Sequence, residues 1–167
     1  MTIIAGDFVT RLSGGAGNAS GNAAIGGAKS STAMSSAVDG LFDSTAAAEA
    51  VAGDVEYRCV YLHNANAVDT MFAARAWISA QTPLAGTVLA MGLGSSAVNG
   101  TEQTVVDESI APVGVTFSEP SSFAAGLVIG DIPLGQHKAL WLRRTVTAGS
   151  GSSPNDTWSL GYQCETT

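Results

Sequence analysis

Val55-Glu-Tyr-Arg-Cys-Val-Tyr-Leu-His63 sets Val55, Tyr57, Cys59 and Tyr61 on one side of an extended chain and Glu56 and Arg58 on the other. Successive side chains of a strand point to opposite faces, so the alternation predicts a β-strand. Lys138-Ala-Leu-Trp-Leu-Arg-Arg-Thr-Val146 predicts a second long strand. There Leu140 and Leu142 face away from Trp141 and Arg143, with a core on one side and an aromatic or charged contact on the other. Further strands are expected over Met71 to Ile78, Val88 to Leu93 and Thr104 to Val106, and in a terminal run where Trp158, Leu160, Tyr162 and Cys164 alternate with Ser159, Gly161 and Gln163. In the first of these, Phe72, Ala74, Ala76 and Ile78 are expected opposite Met71, Ala73, Arg75 and Trp77. Asn64-Ala-Asn66, Gln81-Thr-Pro83 and Gly130-Asp-Ile-Pro133 read as the punctuation between strands. Pro112 and Pro120 confine Val113 to Phe117 to a short extended segment, because proline removes a ladder donor.

About seven to nine short strands with turn signals between them point to an all-β fold, a β-sandwich or jelly roll. One short helical turn is expected from Asp43, capped by Asp43 or Ser44 and stopped at Gly53-Asp54. No βαβ repeat and no phosphate-cradling glycine pattern before a helix is visible, which excludes a doubly wound nucleotide fold. Residues 13 to 37, SGGAGNASGNAAIGGAKSSTAMSSA, hold few large apolar groups to offset the cost of ordering glycine. They read as an extended Gly/Ala/Ser-rich arm, flexible or laid across a neighbouring subunit. The expected organisation is a 1–40 N-terminal strand and arm, then a 41–167 sandwich domain.

The 167 residues suit one domain and carry 7 Lys and Arg against 14 Asp and Glu, a net charge of -7. Such a balance argues against nucleic acid as a direct ligand, because counterion release needs clustered Lys and Arg. Arg58, Arg75, Arg143 and Arg144 are expected on solvated strand faces or paired with acids of another subunit. No secretion signal is evident in Met1 to Val9, and no apolar run approaches the roughly 20 residues of a membrane span. Cys59 and Cys164 are too few and too far apart for a zinc pattern, and are expected as buried free thiols.

Catalytic patterns are sparse. His63 and His137 lie at strand ends near polar turns with no ligand spacing around them, which predicts surface hydrogen bonding rather than a metal site. Asp107 and Glu108 are adjacent and so point to opposite faces of an extended chain, unlike a glycosidase pair. Asp131 and Asp156 sit in turns, where carboxylates bond nearby backbone. No Gly-x-Ser-x-Gly elbow occurs among the many serines. Trp77, Trp141 and Trp158 would make a carbohydrate platform if exposed side by side, and core or interface otherwise. The expectation is a binding protein with no catalytic residues, cofactor or metal.

The stretches Leu41-Phe-Asp43, Gly53-Asp-Val-Glu-Tyr-Arg-Cys-Val-Tyr-Leu-His-Asn64 and Gly130-Asp-Ile-Pro-Leu-Gly-Gln-His-Lys-Ala-Leu-Trp-Leu-Arg-Arg-Thr-Val146 resemble small virion structural proteins of tailed bacteriophages. Gly92-Leu-Gly94, Val98-Asn-Gly-Thr-Glu-Gln103 and Asn155-Asp-Thr-Trp158 add to a resemblance scattered over residues 40 to 160. It implies a non-enzymatic capsid decoration or cement protein, assembled in the host cytoplasm onto the outer surface of the capsid. The implied partners are the major capsid protein and copies of itself, a homotrimer being favoured. A tail or baseplate component and a carbohydrate-binding virion module are the alternatives. On this reading the arm would grip its partner through Leu12, Ile25 and Met34 as apolar anchors, with Arg11 and Lys29 as electrostatic partners.

Overall fold

The computed structural model describes residues 2–37, 39–152 and 156–165. In chain order the elements are β1 Phe8–Leu12, β2 Gly26–Gly27, α1 Ala47–Ala52, β3 Asp54–Asn64, β4 Met71–Ala80, β5 Thr87–Leu93, β6 Glu102–Thr104, β7 Leu127–Ile132, β8 His137–Val146 and β9 Ser159–Glu165, after a 3-10 turn at Ala5–Asp7. They form a mostly-β fold of three antiparallel sheets, ordered β1-β3-β8-β5, β7-β4-β9 and β2-β6. The two stretches that decide the fold, β3 and β8, lie side by side at the centre of the largest sheet, with Cys59 opposite Trp141.

Both faces of that sheet are covered. Val60, Leu62, Leu89, Met91, Leu140 and Leu142 meet Met71, Ala74, Ala76, Ile78, Ile129 and Ile132 of the three-stranded sheet to form the main sandwich-like core. On the opposite face Cys59, Tyr61, Ala139 and Trp141 pack with Val105, Ile25, Val115 and Phe117. This second layer is thin because β2 and β6 hold only two and three residues. Gly26 makes it possible, since a Cβ there would stand 1.9 Å from the carbonyl oxygen of Gln103.

The expected arm is therefore not extended. Residues 30 to 34 run back beside β1, with hydrogen bonds Ser30 N to Leu12 O (2.8 Å), Leu12 N to Thr32 O (3.1 Å) and Met34 N to Thr10 O (2.8 Å). Beyond Leu12, where β1 ends, the exposed edge of β3 is closed by carbonyls of the same chain. Cys59 N donates to Ala24 O (2.6 Å) and Tyr57 N to Glu108 O (2.7 Å), so that edge offers little to an added strand. Small polar side chains supply the compensation that bulky apolar ones do not: Ser30 Oγ bonds Asn18 O at 2.6 Å and Ser31 Oγ bonds Ala16 O at 2.7 Å. Because β1 pairs with β3 along its whole length, Phe8–Leu12 share the sheet, and Leu12 and Ala24 the core, of the domain assigned to 41–167.

Other expectations shift by a few residues. The helix begins at Ala47, with Ala46 N held by Glu49 Oε2 at 2.8 Å, because Asp43 is engaged by Arg144 instead of capping. In β4, Ala73 takes a positive φ of 47° and forms a bulge that carries Met71, rather than Phe72, onto the core face with Ala74. Its N–H bonds Asp131 Oδ1 at 2.9 Å, and the facing strand continues through Gly130 (φ 88°) to Ile132 where a turn was expected. The 104–106 strand lies at 102–104, and Val113 to Phe117 forms no strand.

Candidate functional site

The core face of β3 and β8 turns from apolar to charged towards one end. Register sets Glu56 opposite Arg144, and Arg58 lies two residues further along β3 on the same face. These side chains are buried, Arg58 at 0% and Glu56 at 2% exposure, which corrects the expectation of solvated or intersubunit arginines here. Glu56 Oε1 lies 3.2 Å from Arg58 Nη2, and Glu56 Oε2 pairs with Arg144. Burial pushes the Glu56 carboxyl up to about 7, against the opposite pull of Arg144 and Arg58.

The outer donors of both arginines gather separate parts of the chain. Arg58 donates to Leu41 O (3.2 Å) and Asn22 Oδ1 (3.4 Å) and pairs with Glu108, while Arg144 donates to Asp43 O and Oδ1. Phe42 lies under both guanidinium groups, 5.6 Å from Arg58 and 5.2 Å from Arg144. A cavity of about 300 Å³ adjoins this cluster, bounded by Arg144, Phe42, Asp156, Trp158, Tyr162 and Met34 among others. Burial raises the Asp156 carboxyl and Arg144 lowers it, the net shift being upward. The cluster carries no nucleophile beside a base; its visible work is to fasten residues 22, 41–43 and 108 to the central sheet.

Four of the five residues expected to meet a partner make contacts within the chain. Leu12 and Met34 pack into the main core and Ile25 into the second, with Met34 and Ile25 keeping part of their surface exposed. Leu12 is buried. Arg11 donates to Ser31 O. Lys29 lies close enough to Arg11 for their charges to interact. The histidines depart from the surface role expected of them, His63 being half-buried and His137 buried.

The tryptophans do not line up as a platform: Trp141 is enclosed, Trp158 meets Phe42 edge-on, and Trp77 lies over Gly161 beside Phe123. Both cysteines are free, Cys59 buried and Cys164 half-buried. Arg75 and Arg143 sit over Phe123 and Phe117. Asp107 bonds Ser109 N and Oγ, and the Asn155 end of the last resembling stretch lies outside the described residues.

Sequence reading missed the loop that leaves β6. Val106 is 89% exposed and Val113 81%, with Ile110 exposed between them. The loop is tied down by hydrogen bonds all the same. Gln103 bonds Val113 at both its N–H and its carbonyl (2.8 Å each), Ile110 N bonds Asp107 O, and Glu108 is tied to Arg58 and to Tyr57 N. The adjacent pair Val105-Val106 was the available signal, since one of two adjacent valines in an extended segment must face outward. No protein-family model matches the chain, and no curated protein or solved structure is significantly similar to it.

Proposed function

We propose that the chain is a non-enzymatic structural component of a tailed-phage particle, a decoration or cement protein that binds the major capsid protein on the outer surface of the head. The resemblance carried by residues 53–64 and 130–146 supports this reading, and so does the use of Arg58, Arg144 and Glu56 as internal fasteners. The observation that carries it is the hydrogen-bonded loop presenting Val106, Ile110 and Val113 to solvent. Exposed apolar groups on a pre-ordered backbone gain free energy only when another surface covers them. On this reading the sheets act as a jelly-roll-like slab, copies associate as a homotrimer, and the loop supplies the capsid contact in place of the arm.

Quantitative mass spectrometry of purified particles tests it, together with binding of the purified chain to heads lacking it. A copy number that scales with the capsid lattice, and loss of head binding in Val106→Asp/Val113→Asp with the fold retained, are the expected results. A small fixed number at one vertex or along the tail would replace the head reading by the tail or baseplate one. Undiminished binding by the double variant would remove the loop from the interface.

A further inference from the structure

A second cluster lies on the other face of the central sheet and serves none of the fastening just described. Arg11, Lys29, His63 and His137 meet there, in a chain with only seven Lys and Arg and two His. Register explains the meeting. His63 on β3 is opposite Val9 on one side and His137 on the other, and Arg11 is opposite Tyr61 two residues away. Directly paired residues share a face, so Arg11, His63 and His137 project together from three neighbouring strands spaced about 4.8 Å apart. Lys29 arrives from the covering layer just after β2, whose Gly27 carbonyl accepts the Tyr61 hydroxyl of this same face.

Among the described residues neither Arg11 nor Lys29 forms an ion pair with a carboxylate. His137 is 9% exposed, and its Nδ1 is buried without a hydrogen-bond partner. The same holds for His63 Nδ1 and Arg11 Nε. Burial, then Lys29, Arg11 and His137, lower His63, and only the Gln136 backbone opposes them; burial and Lys29 lower His137 against the Gly100 backbone. Lys29 is lowered by burial and by Arg11. Buried nitrogens without partners beside mutually repelling cations are costly in a free chain, and an anion placed among them, with the imidazoles protonated, satisfies both deficits.

We infer that Arg11, Lys29, His63 and His137 form an oxyanion site for a single phosphate group. Two fixed cations and two imidazole donors match a doubly charged anion with three acceptor oxygens better than a carboxylate, which would leave half the positive charge uncompensated. The net charge of -7 removes an extended polyanion, whose neighbouring phosphates would meet acidic surface. The group is therefore free phosphate or a lone phosphate monoester. Binding draws protons onto the imidazoles, so affinity for the anion rises as pH falls through the histidine range.

Histidine ring resonances, followed by NMR in the whole chain at constant ionic strength, test this. Inorganic phosphate or phosphoserine is expected to shift both histidines saturably and to raise their pKa values, and whichever binds more tightly identifies the source. With sulfate, whose charge is constant over the interval, binding is expected to tighten from about pH 8 to about pH 6. Arg11→Gln/Lys29→Gln is expected to weaken binding roughly tenfold or more, the loss that follows removal of a charge-assisted hydrogen bond. Lys29→Gln alone serves if the double variant fails to fold, and Lys138→Gln, a lysine engaged by Ser96 O, is expected to bind as the parent does. The site is refuted if both histidines respond to phosphate and phosphoserine no more than to chloride, or if the Lys29 variant retains full affinity.

Discussion

Arg58→Met removes the guanidinium that joins β3 to residues 22, 41 and 108 while keeping an unbranched apolar stem against Phe42. The side chain is 0% exposed, and its partners include Leu41 O at 3.2 Å and Glu56 Oε1 at 3.2 Å. Removing one partner of a buried ion pair strands the other, at about 3 to 5 kcal/mol. Glu56 keeps Arg144 as a partner and Glu108 is half-exposed, so the lower half of that range is expected. For a chain of this length each kcal/mol lowers Tm by about 2 to 4 °C, so a fall of roughly 10 °C follows.

The loss also depends on pH. Burial already lifts Glu56 from 4.5 to about 7, and without Arg58 its charge is harder still to keep. An acid whose folded pKa is raised binds more protons folded than unfolded, so stability falls as pH rises from the unfolded value through the folded one. The variant is therefore expected to lose more, relative to the parent, above pH 7 than near 5. Urea unfolding of both proteins across that interval measures this. A loss below about 1 kcal/mol at the alkaline end, where surface substitutions begin to overlap it, or a loss independent of pH, refutes the argument.

Gly26→Ala forces a Cβ to within 1.9 Å of Gln103 O at a φ of +102°, so the β2-β6 layer is expected to lift. Cys59, buried beneath that layer, then gains reactivity towards a thiol reagent that the parent resists, while Cys164 reacts alike in both. Glu102→Gln is expected to cost about 2 to 4 kcal/mol in urea unfolding, because a charged carboxylate accepting several hydrogen bonds is replaced by a neutral amide. Burial acts to raise Glu102, but Ser96 N (2.9 Å), Ser95 Oγ (2.9 Å) and Gln103 N hold it down at about 2. Its stabilisation is complete above the ordinary value of 4.5 and is lost as pH falls towards 2, so the variant flattens acid unfolding in that window.

Alternation in residues 55–63 and 138–146 was enough to find the two central strands, because a period of two is a property of the strand alone. It divides side chains between faces without saying what covers each face. Glu56, Arg58 and Arg144 looked solvated for that reason; only the register between β3 and β8 shows that one carboxylate lies between two guanidinium groups. The bulge at Ala73 was equally invisible, since alanine at positive φ leaves no compositional mark, yet it decides that Met71 enters the core. The 13–37 segment misled in the opposite sense. Its poverty in large apolar groups suggested an arm without compensation, whereas its serines, asparagine and Gly26 fasten it to its own sheet.

The same distribution bears on how the surface works. Charges of both signs are spent inside, where Arg58 and Arg144 hold segments far apart in sequence, and apolar side chains stand outside on the loop after β6. Fastening a loop by buried ion pairs lowers the conformational entropy that any partner must remove on binding. Arg58 and the exposed valines are thus parts of one arrangement: Glu108, bonded to Arg58, lies between Val106 and Val113 in the chain. Arg58→Met is accordingly expected to weaken partner binding through the loop without touching its contact surface. That loss should exceed the effect of Arg75→Met, which frees only Ala124 O and Phe123 in the turn before β7. Equal effects on head binding from the two variants, each still folded, would separate the buried cluster from the interface.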